Sequence, residues 1–160
     1  MLEKIALVLA ALASGSLARA ASTHQVNIAP VRNFIQTSVL DPKSGKLKLT
    51  SKLNYDKPSA GISAQAAQKA KETLVGLTGF NSGSKGATYV RKMGSQKLLI
   101  TRVTAHDRDD YNKMIQRFVV RSDKQGLVVA RGFVKDGSIT WTRMHNEHAK
   151  TTPAETNAAR

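Results

Sequence analysis

The order of patterns along the chain predicts an α+β fold: one main helix packed on an antiparallel β-sheet, preceded by an N-terminal β-hairpin. Three observations carry this. A single amphipathic helical stretch runs from Ala64 to about Leu77. Five strand-like runs follow it in close succession. The last two runs are joined by Asp136-Gly137, a tight-hairpin signal. A helix followed by consecutive strands argues for a sheet with neighbouring antiparallel pairs rather than crossover units.

The N-terminal hairpin is read from residues 34–40 and 47–55, which flank the turn formers Asp41-Pro42-Lys43-Ser44-Gly45-Lys46. In the second run Leu47, Leu49, Leu53 and Tyr55 alternate with Lys48, Thr50, Lys52 and Asn54. Period two is the pattern of a half-buried strand. A loop with Pro58 follows, and Ser63 offers a hydroxyl as N-cap for the helix. Ala67, Ala70, Leu74 and Leu77 fall at helical spacing, and Gly79 is a stop signal. The later strand runs are 88–92, 96–104, 116–121, 127–135 and 138–143, with a longer, acidic connection from Asp107 to Asn112. The spacing places Leu47, Leu49, Leu53, Leu74, Leu77, Phe118, Val120, Val129 and Phe133 in the core.

At 160 residues the chain suffices for one domain. Residues 1–20 read as a secretory signal: Lys4 in a short polar start, an apolar run from Ile5 to Leu12, and Ala18-Arg19-Ala20 before the cut. The run is too short to span a bilayer, so no transmembrane segment is expected after processing. Residues 21–148 are then one basic domain, and the polar stretch 149–160 a disordered tail. Export implies secretion, or a periplasmic location in a bacterium. Zero cysteines exclude a disulfide framework and thiolate metal sites, so stability must come from the core. No cofactor motif occurs, and no carboxylate–histidine spacing forms a known metal motif. The segment from Gly79 to Gly86 lacks the spacing of a nucleotide-binding phosphate loop and reads as a connector.

Charge is the most informative functional feature. The formal net charge is +14, and removal of residues 1–20 takes away Lys4, Arg19 and Glu3 and leaves +13. Such a balance favours polyanionic partners: RNA, another polyanion, or an acidic host or envelope protein. The five late strands carry Arg91, Lys92, Lys97, Arg102, Arg117, Arg121, Arg131, Lys135 and Arg143, and no acid. Every acid between residues 86 and 146 falls in a connection. Arg117 and Arg121 share a strand face by period two, as do Trp141 and Arg143. Arginines and an aromatic ring on one sheet face suit phosphates and stacked bases. The RNA or anion candidates are therefore Arg91, Arg102, Arg117, Arg121, Arg131, Trp141 and Arg143, with Tyr89 as a second stacking ring; a solvated sheet face with no ligand is the competing reading. The catalytic candidates are His145, His148 and His106, since imidazole can shuttle protons in phosphodiester cleavage. Against this, His145 and His148 also read as a polar strand end, and His106-Asp107 as a turn.

Two segments resemble the small microbial ribonucleases, the superfamily of barnase and the fungal guanyl ribonucleases. They are Ile62-Ser63-Ala64-Gln65-Ala66-Ala67 at the helix start, and Arg117-Phe118-Val119-Val120 with Gln125 to Ala130 leading into the next strand. The order helix, loop, antiparallel sheet also fits, over roughly residues 55–145. The resemblance implies an RNA-binding sheet face, with a strand glutamate as base, an arginine on the phosphate and a histidine as acid. Of these only the arginine transfers, to Arg117. After residue 20 the glutamates are Glu72, Glu147 and Glu155, none on a late strand, and the histidine position falls near Arg131 and Gly132. The usual disulfide cysteines are missing. The implied state is a ribonuclease-like scaffold that has lost its acid–base pair, of the kind secreted by fungal pathogens as effectors. The expected function is thus a secreted protein that binds RNA or another polyanion without efficient catalysis. The alternatives are an active secreted nuclease or toxin, and an envelope protein such as a secretion-system subunit or inhibitor.

Overall fold

The computed structural model describes residues 28–78 and 84–144. The signal-peptide reading, the tail, His145 and His148 lie outside the described residues. Two helices and seven strands follow in order: α1 (Ile28–Phe34), a π-helical turn (Ile35–Val39), β1 (Leu40–Asp41), β2 (Lys46–Leu47), α2 (Ala64–Thr78), β3 (Lys85–Met93), β4 (Gln96–His106), β5 (Met114–Ser122), β6 (Val128–Lys135) and β7 (Ser138–Trp141). The class is α+β, as the pattern predicts. β3 to β7 form one antiparallel meander in sequence order.

All five late strands lie where they are expected. Between β6 and β7 the Asp136-Gly137 signal becomes a two-residue turn with φ of 52° and 77°. Two successive positive φ values match the twist of the flanking strands, and Asp and Gly are residues that tolerate them.

The N-terminal region differs from expectation. Residues 34–39 are helical, not a strand, and the hairpin shrinks to two residue pairs, Leu40↔Leu47 and Asp41↔Lys46. Ile28, Val31, Ile35 and Val39 are all buried. Their spacing of three, four and four residues is the helical period, which outweighs the β-branched composition that suggests a strand. The π turn ends where Leu40 becomes extended and donates its N–H to the Ile35 carbonyl. The turn formers do make the turn: Lys43 N and Ser44 Oγ donate to the Asp41 carboxylate at 3.1 and 2.9 Å. Residues 48–55 form no regular strand. Their backbone instead lies along the edge of β3, where Leu53 N donates to the Thr88 carbonyl and Val90 N to the Ser51 carbonyl.

α2 is capped as expected, Ser63 Oγ accepting from Ala66 N at 3.0 Å. It packs against β3, β4 and β5. Ala66, Ala67 and Ala70 are fully buried in a cluster with Leu53, Ile62 and Leu99. Small side chains let the helix approach closely. Gly126 (φ +69°) shows how closely, since a Cβ there would sit 2.9 Å from the Ala66 Cα. Leu49, Leu74, Leu77 and Phe133 are half-buried rather than core, while Leu47, Leu53, Phe118, Val120 and Val129 are buried as expected.

Strand register assigns the two sheet faces. Thr88, Leu99, Thr101, Val103, Arg117 and Arg121 face the α2 side. Tyr89, Ile100, Arg102, Phe118, Val120 and Trp141 face the other. That second face is covered by α1 and the π turn, through contacts with β6, Arg32 over the Trp141 ring, and Arg91 over the Phe34 ring. The sheet is therefore the middle of three layers, with α2 packed over β3, β4 and β5 on one side and the N-terminal layer on the other.

Candidate functional site: a cleft at the C-terminal end of the second helix

The strand arginines divide by what they touch. Arg121 is a staple: its guanidinium donates to Thr73 Oγ1 on α2 at 2.8 and 3.1 Å and to the Gly126 carbonyl at 2.6 Å. Burial pushes its pKa down, an effect opposed by the nearby Glu72 charge. Arg91 ties down the N-terminal layer by donating to the Lys48 and Ser38 carbonyls, both at 3.0 Å. Arg102 lies over the Tyr89 ring, 5.2 Å from its centroid, and donates to its hydroxyl at 3.2 Å. Tyr89 is thereby covered. Trp141 is engaged too, edge-on to Phe118 at 5.7 Å and capped by Arg32. Arg131 is exposed on the α2 side of β6, outside the strands that α2 packs on, and donates to the Arg143 carbonyl at 3.3 Å. Arg143 is exposed just beyond the end of β7.

The Arg117 side chain donates no hydrogen bond among the described residues. It is half-buried, and its Nε is buried without a partner, as is that of Arg102, whose Nη2 however reaches Tyr89. No ion pair reaches Arg117 among the described residues. A buried charged donor left unpaired calls for an explanation, because it forfeits hydration without recompense. The guanidinium lines a cleft of about 310 Å³ together with Gly76, Leu77, His106, Asp107, Arg108 and Tyr111. The last turn of α2 forms one wall and the β4–β5 connection the other.

The connection is held in shape by its own bonds. Asp107 N donates to the Lys113 carbonyl at 2.8 Å and Lys113 N to the Asp110 carbonyl at 2.9 Å. Asp109 N donates back to Asp107 Oδ1 at 3.2 Å. Two ion pairs pin it to the β6–β7 hairpin, Lys135 to Asp107 and Lys113 to Asp136. The Lys135 ammonium and the Asp109 N–H hold the Asp107 carboxyl below the usual carboxylate range, and the same pair raises Lys135. Asp107 is thus an ionised structural anchor, with its charge matched by Lys135.

His106 Nδ1 lies 2.7 Å from the Tyr111 carbonyl. A carbonyl only accepts, so Nδ1 carries the proton and Nε2 is left as the free ring nitrogen. The His106 and Tyr111 rings stack, with centroids 4.0 Å apart and planes 13° from parallel. Tyr111 remains 73% exposed, which leaves its second face open to a planar ligand. Among the lining residues Arg117 and Arg108 outnumber Asp107, whose charge is matched by Lys135. Asp109 and Asp110 of the same connection and the partial negative charge of the α2 C-terminus, about half a unit, bring opposing charge close by.

Of the sequence-predicted residues, the fold brings Arg117 and His106 together and places Arg131 on the same sheet face as Arg117. It does not gather Arg91, Arg102, Arg121 and Trp141 with them. Arg108 and Tyr111 have no counterpart in the sequence-based expectation. The available signal was an aromatic and an arginine inside the longest acidic connection between strands. Among the described residues no group of three or more His, Asp or Glu side chains comes together to hold a metal. Comparison with protein-family models, curated proteins and solved structures returns no match.

Proposed function

We propose that this chain is a secreted basic protein that binds single-stranded RNA through the Arg117 cleft and does not cleave it efficiently. The observation that carries the reading is the unpartnered Arg117 guanidinium beside Arg108, with the open face of Tyr111 at the same cleft. A guanidinium fork takes a phosphate through paired charge-assisted hydrogen bonds, and an exposed ring takes a base by stacking. That combination favours RNA over a polyanion without bases. Poor catalysis follows from the donor set. Cleavage needs both a base and an acid at the reacting oxygens, and the cleft offers one free imidazole nitrogen and a carboxylate already paired with Lys135. The ribonuclease-like likeness of Arg117-Phe118-Val119-Val120 supports the same ligand. Export through residues 1–20 places the protein outside the cell or in the periplasm.

The test is binding of a fluorescent single-stranded RNA across a salt series. Arg117→Ala should reduce the slope of log affinity against log salt by about 0.7, the contribution of one phosphate contact on a single strand. Tyr111→Ala should cost roughly 1–3 kcal/mol of binding, the range for base–aromatic stacking, with the slope unchanged. A sulfated polysaccharide of matched charge should bind more weakly and ignore Tyr111→Ala. No RNA binding at low salt would remove the proposal and favour an acidic protein partner. One observation favours a second reading, since His106 and Arg117 share the cleft. Rapid RNA cleavage abolished by His106→Ala would make the protein a nuclease. Mass spectrometry of exported protein should find a mature terminus near Ala21.

A further inference from the structure

A second basic concavity lies at the opposite end of the sheet. It is a groove of about 480 Å³, lined by Thr50, Ser51, Lys52, Ser59, Val90, Arg91, Lys92 and Lys97, with no acidic residue in its lining. Its cations are positioned in different ways. Lys97 is preset: its ammonium donates to the Ala60 carbonyl at 2.6 Å. The Lys97 backbone N–H is fixed in turn by Asp123 Oδ2 at 2.9 Å. Arg91 spends its guanidinium on the Lys48 and Ser38 carbonyls and contributes charge rather than free donors. Lys52 and Lys92 are exposed, and their ammonium groups have no partner among the described residues. Lys52 is held in place by backbone, since residues 51–53 pair with the edge of β3. Lys92 lies opposite Lys97 in the β3–β4 register. By register Lys92 and Lys97 share the α2 side of the sheet, while Lys52, paired with Tyr89, lies on the other side of the same edge. With no acid in the lining, their like charges favour a bound anion.

We infer that this groove is a second phosphate-contacting site for the strand held at the Arg117 cleft, so that the ligand is an oligonucleotide long enough to reach both. The inference rests on the proposed RNA reading. β4 links the two places, with Lys97 near one end and His106 at the other. At about 3.3 Å per residue they are roughly 30 Å apart. A mononucleotide or a very short strand occupies one site only. A longer strand occupies both, and its second contact becomes intramolecular, which raises affinity without any new chemistry. The groove supplies ammonium groups and hydroxyls but no aromatic ring, so it tracks backbone phosphates irrespective of base. Base contact is confined to Tyr111.

The experiment compares single-stranded RNAs of roughly 4 and roughly 16 nucleotides, the span of site sizes for single-strand binding domains, on the full chain across a salt series. The wild type should bind the longer strand about 100-fold more tightly, the low end of bivalent enhancement. Lys52→Gln with Lys92→Gln should remove most of that gain and lower the long-strand salt slope by about 1.4, two phosphate contacts' worth. Binding of the short strand should not change. Lys97 is left intact because it caps a carbonyl, and circular dichroism should show an unaltered fold. Arg108→Gln with Arg117→Gln should weaken both strands. Equal affinity for the two lengths, or a long-strand slope untouched by the lysine changes, overturns the second site and leaves the cleft reading standing. A long-strand effect of the lysine changes without any effect of the arginine changes overturns the cleft reading and keeps the groove. Absence of binding to either strand at low salt overturns both.

Discussion

Arg117 and Arg121 leave the same face of β5 four residues apart, and they meet opposite fates. Arg121 has its donors shared between Thr73 and the Gly126 carbonyl. Arg117 has a buried Nε with no partner and opens into a cleft. The difference comes from α2. Opposite Arg121 the helix presents a threonine hydroxyl and the β5–β6 turn presents a carbonyl. Opposite Arg117 the helix is at its last turn, where Gly76 and Leu77 offer no side-chain acceptor. Residue type and strand periodicity are the same for both arginines, so neither marks which one is available to a ligand. The partner inventory does.

The two arginines differ in what their loss should cost. The largest effect is expected at the staple. Arg121→Ala removes hydrogen bonds from a charged donor, worth about 1.5–3 kcal/mol, and also strands the Gly126 carbonyl. Denaturant unfolding should show a loss at the upper end of that range, and Arg121→Lys should not restore it, because an ammonium cannot span both acceptors. A loss below about 0.5 kcal/mol would place Arg121 in the same class as Arg117. Next is the turn it bonds. Gly126→Ala puts a Cβ 2.9 Å from the Ala66 Cα at a φ of +69°, and should cost more than about 1 kcal/mol.

Asp107 tests whether the cleft wall is held by its ion pair. Its carboxyl is held below the ordinary range in the folded state chiefly by Lys135. A depressed folded pKa contributes stability above the unfolded value, near 3.9, and loses it as pH falls through the folded value. Asp107→Asn should therefore be less stable than wild type at neutral pH, and the two should converge in strong acid. A difference that persists at the acid end would assign the effect to packing instead. The smallest stability change belongs to Arg117. Arg117→Ala removes a buried donor that has no partner, so it should leave stability unchanged or raise it, while reducing RNA binding. Marked destabilisation would show that the guanidinium supports the fold after all.

Much of the fold was readable from local pattern. Ser63, the alanines of α2 and Asp136-Gly137 each act through contacts within a few residues, and the helix and the β6–β7 hairpin they predict are present. The N-terminal layer was not readable, because Phe34 to Leu40 is rich in β-branched and aromatic residues whose strand preference gives way to burial against a sheet distant in sequence. Ile35 and Val39 become fully buried only in that setting. The site was half readable. Arg117 and His106 stand out by type, but the cleft exists only because the β4–β5 connection folds back on itself and the helix ends opposite it. The same three-layer packing disposes of Arg91, Arg102 and Trp141, which period two alone presents as free.

The meander has a kinetic consequence. Each strand from β3 to β7 pairs with its sequence neighbour, so the sheet assembles by closing short loops, which is fast. The N-terminal layer depends on remote partners: Leu47 N donates to Gln116 Oε1 across 69 residues, and Arg91 reaches the Ser38 carbonyl across 53. Its docking must follow a formed sheet, since loop-closure entropy is recovered only once that surface exists. The N-terminal layer should thus gain native contacts after the sheet that follows it in sequence. Pulse-labelled hydrogen exchange should find amides of β4 and β5 protected before those of Val31 to Val39; simultaneous protection would mean that the layers condense together.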